Sequence, residues 1–274
     1  MAAAGLRERL AGLAAVEDGA LPLGATALAI ASLERPRAPL DGYIRHLDRL
    51  GDDLAAVSTP DLSAADRGAA LAEVMAGRHG YRIDDDEATA DSGLIGAIDR
   101  RRGGSAALGL IALDAARRAG WMAEALAFPP YVLLRLQDKA GGRAIVDPTA
   151  DWSPVSPADM RASLKAARGL DAELAPGHYA PLGNRALLLR LQGDAKMRLL
   201  RQGEVERALA VVETTLLFAP AEEALWREAG LMHMRLGRLA AAMAALEQFA
   251  ARTGNPEARR RTLRLLRELR GRLI

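Results

Sequence analysis

The sequence predicts an α+β fold: a mainly helical domain with one small antiparallel sheet over residues 1–180, then an all-α repeat region over residues 181–274. Three observations lead there. Half of the 274 residues are hydrophobic but only 4% are aromatic, so the core must be built from Ala, Leu, Val and Ile, and the Ala and Leu favour helix. Strand-like patterning is confined to a short stretch after residue 121. Beyond residue 187 the pattern is wholly helical and recurs with a period of 34 residues.

In chain order, residues 21–33 and 40–57 read as helices, separated by Arg35-Pro36-Arg37-Ala38-Pro39, where two prolines forbid continuation. In the second helix, Tyr43, Ile44, Leu47, Leu50 and Leu54 recur at helical spacing as one apolar stripe. A further helix starts at Asp61 and runs to about residue 78, closed by Gly80; a polar loop over residues 84–91 leads to a short helix over residues 93–101. Gly103-Gly104 makes a turn, Ser105 is a suitable N-cap, and residues 106–119 form an apolar helix stopped by Gly120. Residues 122–128, 131–137 and 144–146 are short runs divided by Pro129-Pro130 and Gly141-Gly142, which read as the strands. Residues 149–180, with Pro154, Pro157, Pro176 and Gly177 around one short helix, form a connecting segment.

In the C-terminal region Gly203 and Gly237 are 34 residues apart, as are Ala208 and Ala242; Pro220 ends one unit, and Trp226 with Gly230 opens the next. A glycine turn, a small residue in the second helix and a closing proline at this period resemble the tetratricopeptide pattern, although Gln192 stands where the first unit's Trp would be. Trp226 is expected to be largely buried and His233 to be packed in the core. The last helix, rich in Arg, should act as a polar-faced cap whose apolar edge is Leu263, Leu266 and Leu269.

Composition removes several function classes. With no Cys there is no disulfide, no thiolate metal site and no cysteine nucleophile. The formal net charge is +2 and almost all cations are Arg, Lys occurring only at 139, 165 and 196; no basic stripe interleaved with aromatics accompanies them, so nucleic acid is not the expected partner. The start lacks a signal-peptide pattern, and the longest uncharged stretch, residues 19–33, falls short of the ~20 apolar residues of a membrane span. A cytoplasmic protein with no membrane partner is expected. His46, His79, His178 and His233 show no metal-ligand spacing, the acidic run at 84–87 lacks the spaced ligands of a calcium loop, and Gly103-Gly104 is not followed by the Lys-Ser/Thr of a phosphate loop. No cofactor, metal or small-molecule substrate is expected.

The order of pieces is similar to that of a bacterial family, the SirB-type proteins, with a transglutaminase-like, papain-like core and trailing tetratricopeptide repeats. The resemblance spans about residues 21–269. It rests on the Asp48-Arg-Leu helix, the Arg101-Arg102-Gly103 entry to the central helix and Ala116-Arg117-Arg118-Ala119-Gly120 at that helix's end. Phe128-Pro129 before a strand, Val146-Asp147-Pro148 after it and the terminal repeats complete the match. Active members place a Cys at the start of the central helix, where the helix N-terminus stabilises the thiolate; a His on the next strand moves the proton, and an Asp on the strand after orients it. In this sequence the helix start is Gly103-Gly104-Ser105-Ala106, Pro130-Tyr131 replaces the Gly-His pair, and of the triad only Asp147 remains. A Ser hydroxyl needs a base, and a phenol with a reference pKa of about 10 is mostly protonated at neutral pH. Ser105, Tyr131 and Asp147 therefore read as a vestigial cleft, their plainer roles being an N-cap, an amphipathic strand residue and a turn former.

The resemblance implies a pseudoenzyme used as a protein-interaction scaffold. The repeat alignment puts Arg190, Met197, Arg201, Arg227, Met234 and Arg235 at positions that line the family's groove, where Arg around adaptable Met would suit a protein or acidic peptide segment. Two other readings stand beside it: a hydrolase or acyltransferase using Ser105 or another centre, and nucleic-acid binding through the basic C-terminal helix.

Overall fold

The computed structural model describes residues 3–84, 93–129 and 131–271. Pro130 and most of the acidic run, residues 85–87, lie outside the described residues; Asp84 lies inside and is paired with Arg100 at 3.2 Å. The chain forms two compact units, residues 17–194 and residues 195–274 together with 1–16. The sequence expectation divided the chain at residue 180. Here the division falls inside one helix, and the N-terminal segment belongs with the repeats.

In the unit of residues 17–194, helices α2 (Leu23–Glu34) and α3 (Leu40–Ala56) flank the proline pair as expected, and α3 packs on the central helix α6 (Ser105–Arg118). Leu47, Leu50 and Leu54 of α3 are buried, but the stripe ends there: Ile44 is 44% exposed, and Tyr43 turns its hydroxyl to donate to Asp99 Oδ1 at 2.9 Å. Polar ties fix the packing. Asp114 of α6 accepts from the Gly24 N–H at 3.0 Å and from Arg118 Nε at 2.7 Å, and Arg118 also pairs with Asp48 on α3. Helix α4 (Ala64–Ala72), capped by Ser63, widens into a π turn at Glu73–Arg78. β1 (Arg82–Ile83) follows, then α5 (Leu94–Arg100), and β2 (Arg102–Gly103) pairs with β1 in parallel.

The main sheet is antiparallel with order β6-β5-β4-β3-β7. Its centre is the predicted region: β3 (Met122–Leu126), β4 (Leu133–Gln137) and β5 (Arg143–Asp147). The outer strands β6 (Ser153–Pro154) and β7 (Pro181–Leu182) are two-residue edges that contain proline, which removes the periodic signal a strand needs and also blunts each edge. Between them α7 (Pro157–Arg168) starts at a Ser156–Asp159 capping box. Helix α8 (Asn184–Arg201) is capped from far away, since Asp18 accepts from the Asn184 and Arg185 N–H groups at 2.8 and 2.7 Å.

The other unit is the repeat array. α8 is followed by α9 (Val205–Phe218), α10 (Glu223–Arg235), α11 (Leu239–Arg252) and α12 (Pro256–Gly271). The predicted period is exact at the turns. Gly203 and Gly237 have φ +78° and +72°, and each N–H donates three residues back, to the Leu200 and Met234 carbonyls. The next N–H groups, Glu204 and Arg238, donate five residues back to Leu199 and His233. This is the glycine-closed helix end that only a residue tolerant of positive φ completes cheaply. Ala208 and Ala242 are fully buried, and α10 and α11 approach so closely at Gly230 that a Cβ there would lie 2.7 Å from Leu246 Cγ.

His233 is buried as predicted, with Glu213 at 3.3 Å. Trp226 is only half-buried; its ring packs against the α9–α10 core, its N–H donates to the Pro220 carbonyl at 2.9 Å, and Arg252 lies over its face. On α12 the buried line is Thr262, Leu266 and Leu269, and Leu263 is 46% exposed. The sequence points to Leu263 because it is leucine, but Thr262 fits the i, i+4, i+7 spacing, and its hydroxyl is satisfied by the Ala258 carbonyl. The first helix, α1 (Ala3–Gly12), packs on α9 and buries Leu6 and Leu10.

Candidate functional site

Ser105 opens α6, and Gly104, which has no side chain to cap with, takes the N-cap position expected for Ser105. The Ser105 hydroxyl is used elsewhere: its Oγ accepts the Val132 N–H at 3.2 Å. That bond ties the start of the central helix to the segment entering β4, so positions 105 and 131–132 are neighbours in space although 26 or more residues apart in sequence. Tyr131 is partly exposed beside it. Asp147 ends β5, whose pairing of Val146 with Leu134 sets it beside the start of β4. Its carboxylate is largely buried, and Oδ1 accepts both the N–H and the hydroxyl of Thr149 at 2.7 Å. Such a carboxylate stabilises its own turn. Among the described residues no hydrogen bond joins Asp147 to Tyr131 or Ser105, and no imidazole bonds to any of the three.

A second constellation escaped the sequence reading. His46 on α3 and His79, which ends the π turn, meet with ring centroids 5.6 Å apart despite lying 33 positions apart. His79 pairs with Asp53 at 2.6 Å. His46 Nε2 lies 2.7 Å from the hydroxyl of Tyr81, which is fully buried, and Arg101 donates to the same hydroxyl at 2.8 Å. Arg101 Nη1 also lies 2.5 Å from His46 Nε2, so an unprotonated Nε2 faces two donors, the Arg101 guanidinium and the Tyr81 hydroxyl. Burial, with Arg101 and His79 close by, lowers the His46 pKa to about 4, and burial pushes the Tyr81 phenol up to about 12. Both groups are neutral at pH 7, far from the poise a general acid or base needs. Arg101 is also left-handed, at φ +56°, a conformation costing a non-glycine residue about 1–2 kcal/mol. Two further left-handed residues, Asp151 and Trp152, lie next to this cluster: Trp152 donates its indole N–H to the Tyr81 carbonyl at 2.9 Å and Asp151 pairs with Arg82 at 2.6 Å. The network clamps α3, the π turn and the entry to α6, and so fixes where Ser105 stands. The one visible hint was an aromatic residue flanked by Gly80 and His79 in a chain poor in aromatics.

The predicted groove residues fall on two helices. Arg190 shares the continuous helix α8 with Met197 and Arg201, at i, i+7 and i+11, and is half-buried, which lowers its pKa against the pull of Asp194. Met197, Arg201, Arg227 and Arg235 belong to the repeat unit and are exposed. Met234 does not join them: it packs against the buried Leu246, Leu266 and Leu269. The ion pair of Lys196 with Glu228 at 2.5 Å shows that α8 and α10, the first helices of successive repeats, are neighbours. Among the described residues no group of His, Asp and Glu could hold a metal ion, and no helix is long and apolar enough to cross a membrane.

The family model of the transglutaminase-like superfamily matches residues 41–193, and a tetratricopeptide repeat model matches residues 195–270. Two curated relatives, each described as a UPF0162 protein, come from Xylella fastidiosa strains Temecula1 and 9a5c. They are 26% identical to this chain over 249 and 234 residues, covering 86% and 82% of it and the same shares of themselves. No solved structure matches. Matched over more than half its length, with its central helix, following strands and helical repeats in the corresponding order, the chain belongs to the transglutaminase-like superfamily and carries tetratricopeptide repeats behind that domain.

Proposed function

We propose that this protein is a non-catalytic interaction scaffold of the SirB type, working in the cytoplasm, in which a transglutaminase-like domain without nucleophile or base supports repeats that hold a protein or acidic peptide segment. One observation carries the reading. At the helix start where the superfamily's chemistry requires a thiolate, Ser105 Oγ accepts a backbone N–H, and the neighbouring position carries a phenol instead of an imidazole. A hydroxyl without a base stays protonated and is a poor nucleophile. Asp147, the remaining member, has no imidazole to orient and is engaged by Thr149. The partner-binding half of the reading rests on the exposed Arg201, Arg227 and Arg235 on first helices of the repeats, the elements that line the concave surfaces of such arrays.

The test is turnover. The full chain is incubated with a glutamine-containing acyl donor and an amine acceptor, and separately with an activated ester. Release no faster than that of Ser105→Ala is expected. Turnover that Ser105→Ala abolishes would establish the rival reading, a serine acyltransferase or hydrolase.

A further inference from the structure

We propose that the trough between α11 and α12 seats an acidic amphipathic helix of a partner protein. The two helices are joined by residues 253–255 and so run as antiparallel neighbours. Between them lies a groove of about 660 Å3, within the size range of ligand sites. Its apolar surface comes from Ala250 and Ala251 on one side and Leu263 and Leu266 on the other. Leu266 is anchored in the buried cluster with Leu246 and Leu269, whereas Leu263 stands in solvent. Short alanine side chains opposite a projecting leucine let a third helix approach closely. Along α12 the lining runs from Arg259 through Leu263 and Leu266–Arg267 to Arg270. That stripe of positions i, i+4, i+7/i+8 and i+11 is about 16 Å long at 1.5 Å per residue, three turns of a facing helix.

Charge selects the occupant. Arg259, Arg267 and Arg270 line the groove against a single acid, Glu247. Arg270 is held by Glu247 at 2.6 Å, but both side chains are about half exposed, and such a pair contributes little and exchanges readily. Arg259 gives one N–H to the Thr253 carbonyl and keeps others for a ligand. The excess of guanidinium groups favours carboxylates flanking the docked apolar residues. Among the lining residues none is aromatic, so nothing stacks a base, and a nucleic-acid backbone would leave Leu263 uncovered. The inference rests on the repeats being the partner-binding region but places this partner on a different face from Arg201 and Arg235.

The probe is a fluorescein-labelled synthetic helix of about 18 residues with leucines at helical spacing flanked by glutamates, titrated with the full chain and read by anisotropy. A version with lysines for glutamates and a random DNA duplex are run beside it. Saturable binding of the acidic helix is expected, weakened by about tenfold or more in both Leu263→Asp and Arg267→Glu, whose positions are exposed and whose circular dichroism should be unchanged. The double variant Arg201→Ala/Arg235→Ala should bind the probe as the parent does. Equal binding by Leu263→Asp, equal binding of the lysine version, or no binding of the acidic helix overturns the proposal. Loss only in the Arg201/Arg235 double variant overturns it while leaving the scaffold reading intact. Duplex binding lost on Arg267→Glu, without acidic-helix binding, makes the surface a nucleic-acid site.

Discussion

Gly230 measures how tightly the repeat helices pack. An alanine Cβ at this position would sit 2.7 Å from Leu246 Cγ, 2.8 Å from its Cδ2 and 3.3 Å from the Ala242 carbonyl oxygen. Carbon atoms at rest lie about 3.5–4.0 Å apart, so roughly 1 Å must be found. Leu246 cannot supply it by rotating, because it is buried against Leu266 and Leu269, and the Ala242 carbonyl is backbone. The helices α10 and α11 must part. Overpacking of this kind costs about 1–3 kcal/mol, against a helix-propensity gain of about 0.8–1 kcal/mol for Gly→Ala, leaving Gly230→Ala between neutral and destabilising by about 2 kcal/mol. Gly193 on α8 is the control, since an added Cβ there meets nothing within 4 Å. Gly193→Ala should keep the propensity gain and stabilise its helix by about 0.5–1 kcal/mol. Two compact units make a single global transition unsafe, so the assay is native-state amide exchange, read in α10 and α11 for one variant and in α8 for the other. Stabilisation by Gly230→Ala as large as that of Gly193→Ala would mean that α10 and α11 do not meet at Gly230 and that the repeat register is misplaced.

Three further outcomes follow from the packing and the charges. Leu10 of α1 is fully buried within the repeat unit, so Leu10→Ala should cost about 2–5 kcal/mol of that unit's stability in amide exchange of α9; an effect below about 0.5 kcal/mol would detach α1 from the repeats. The imidazole of His46 should titrate near pH 4 in an NMR pH series, and a midpoint at the ordinary 6.5 would contradict its burial beside Arg101. Because the folded pKa lies below the unfolded one, the unfolded chain binds more protons between about pH 6.5 and 4, and His46's contribution to stability falls as pH drops through that window. Arg201→Ala with Arg235→Ala should weaken capture of a native partner by more than about tenfold while amide exchange of the repeats is unchanged; undiminished capture would move that binding face elsewhere.

Local signals in the sequence account for most of the fold. The glycines at 203 and 237 carry a turn that few other residues complete, so the repeat period is visible without any tertiary information. The central strands are short runs set apart by Pro129 and by Gly141-Gly142, and the prolines at 36 and 39 bound their helices. What escaped notice depends on long-range contact. His46, the His79–Tyr81 stretch and Arg101 have no shared spacing because they come from three separate segments, and only folding makes them one network. Leu6 and Leu10 look like any amphipathic start, and nothing local assigns them to a helix about 200 residues away. The candidate cleft was partly legible: Ser105, Tyr131 and Asp147 can be picked out as its expected members from the sequence, but the bond from the Val132 N–H to Ser105 Oγ cannot.

The central claim is that positions 105 and 131 are the superfamily's nucleophile and base sites and that the chemistry was lost with their side chains. The most direct measurement is the pH dependence of alkylation of a thiol installed by Ser105→Cys, alone and combined with Tyr131→His. In a chain that otherwise has no cysteine, every alkylation event reports this one position. A helix N-terminus and an adjacent imidazole both favour the thiolate, so the midpoint should lie below the ordinary value of about 8.5 in the single variant and fall further, by about one unit or more, in the double. A midpoint that Tyr131→His leaves unmoved would mean that the two positions do not face one another, and would contradict the account.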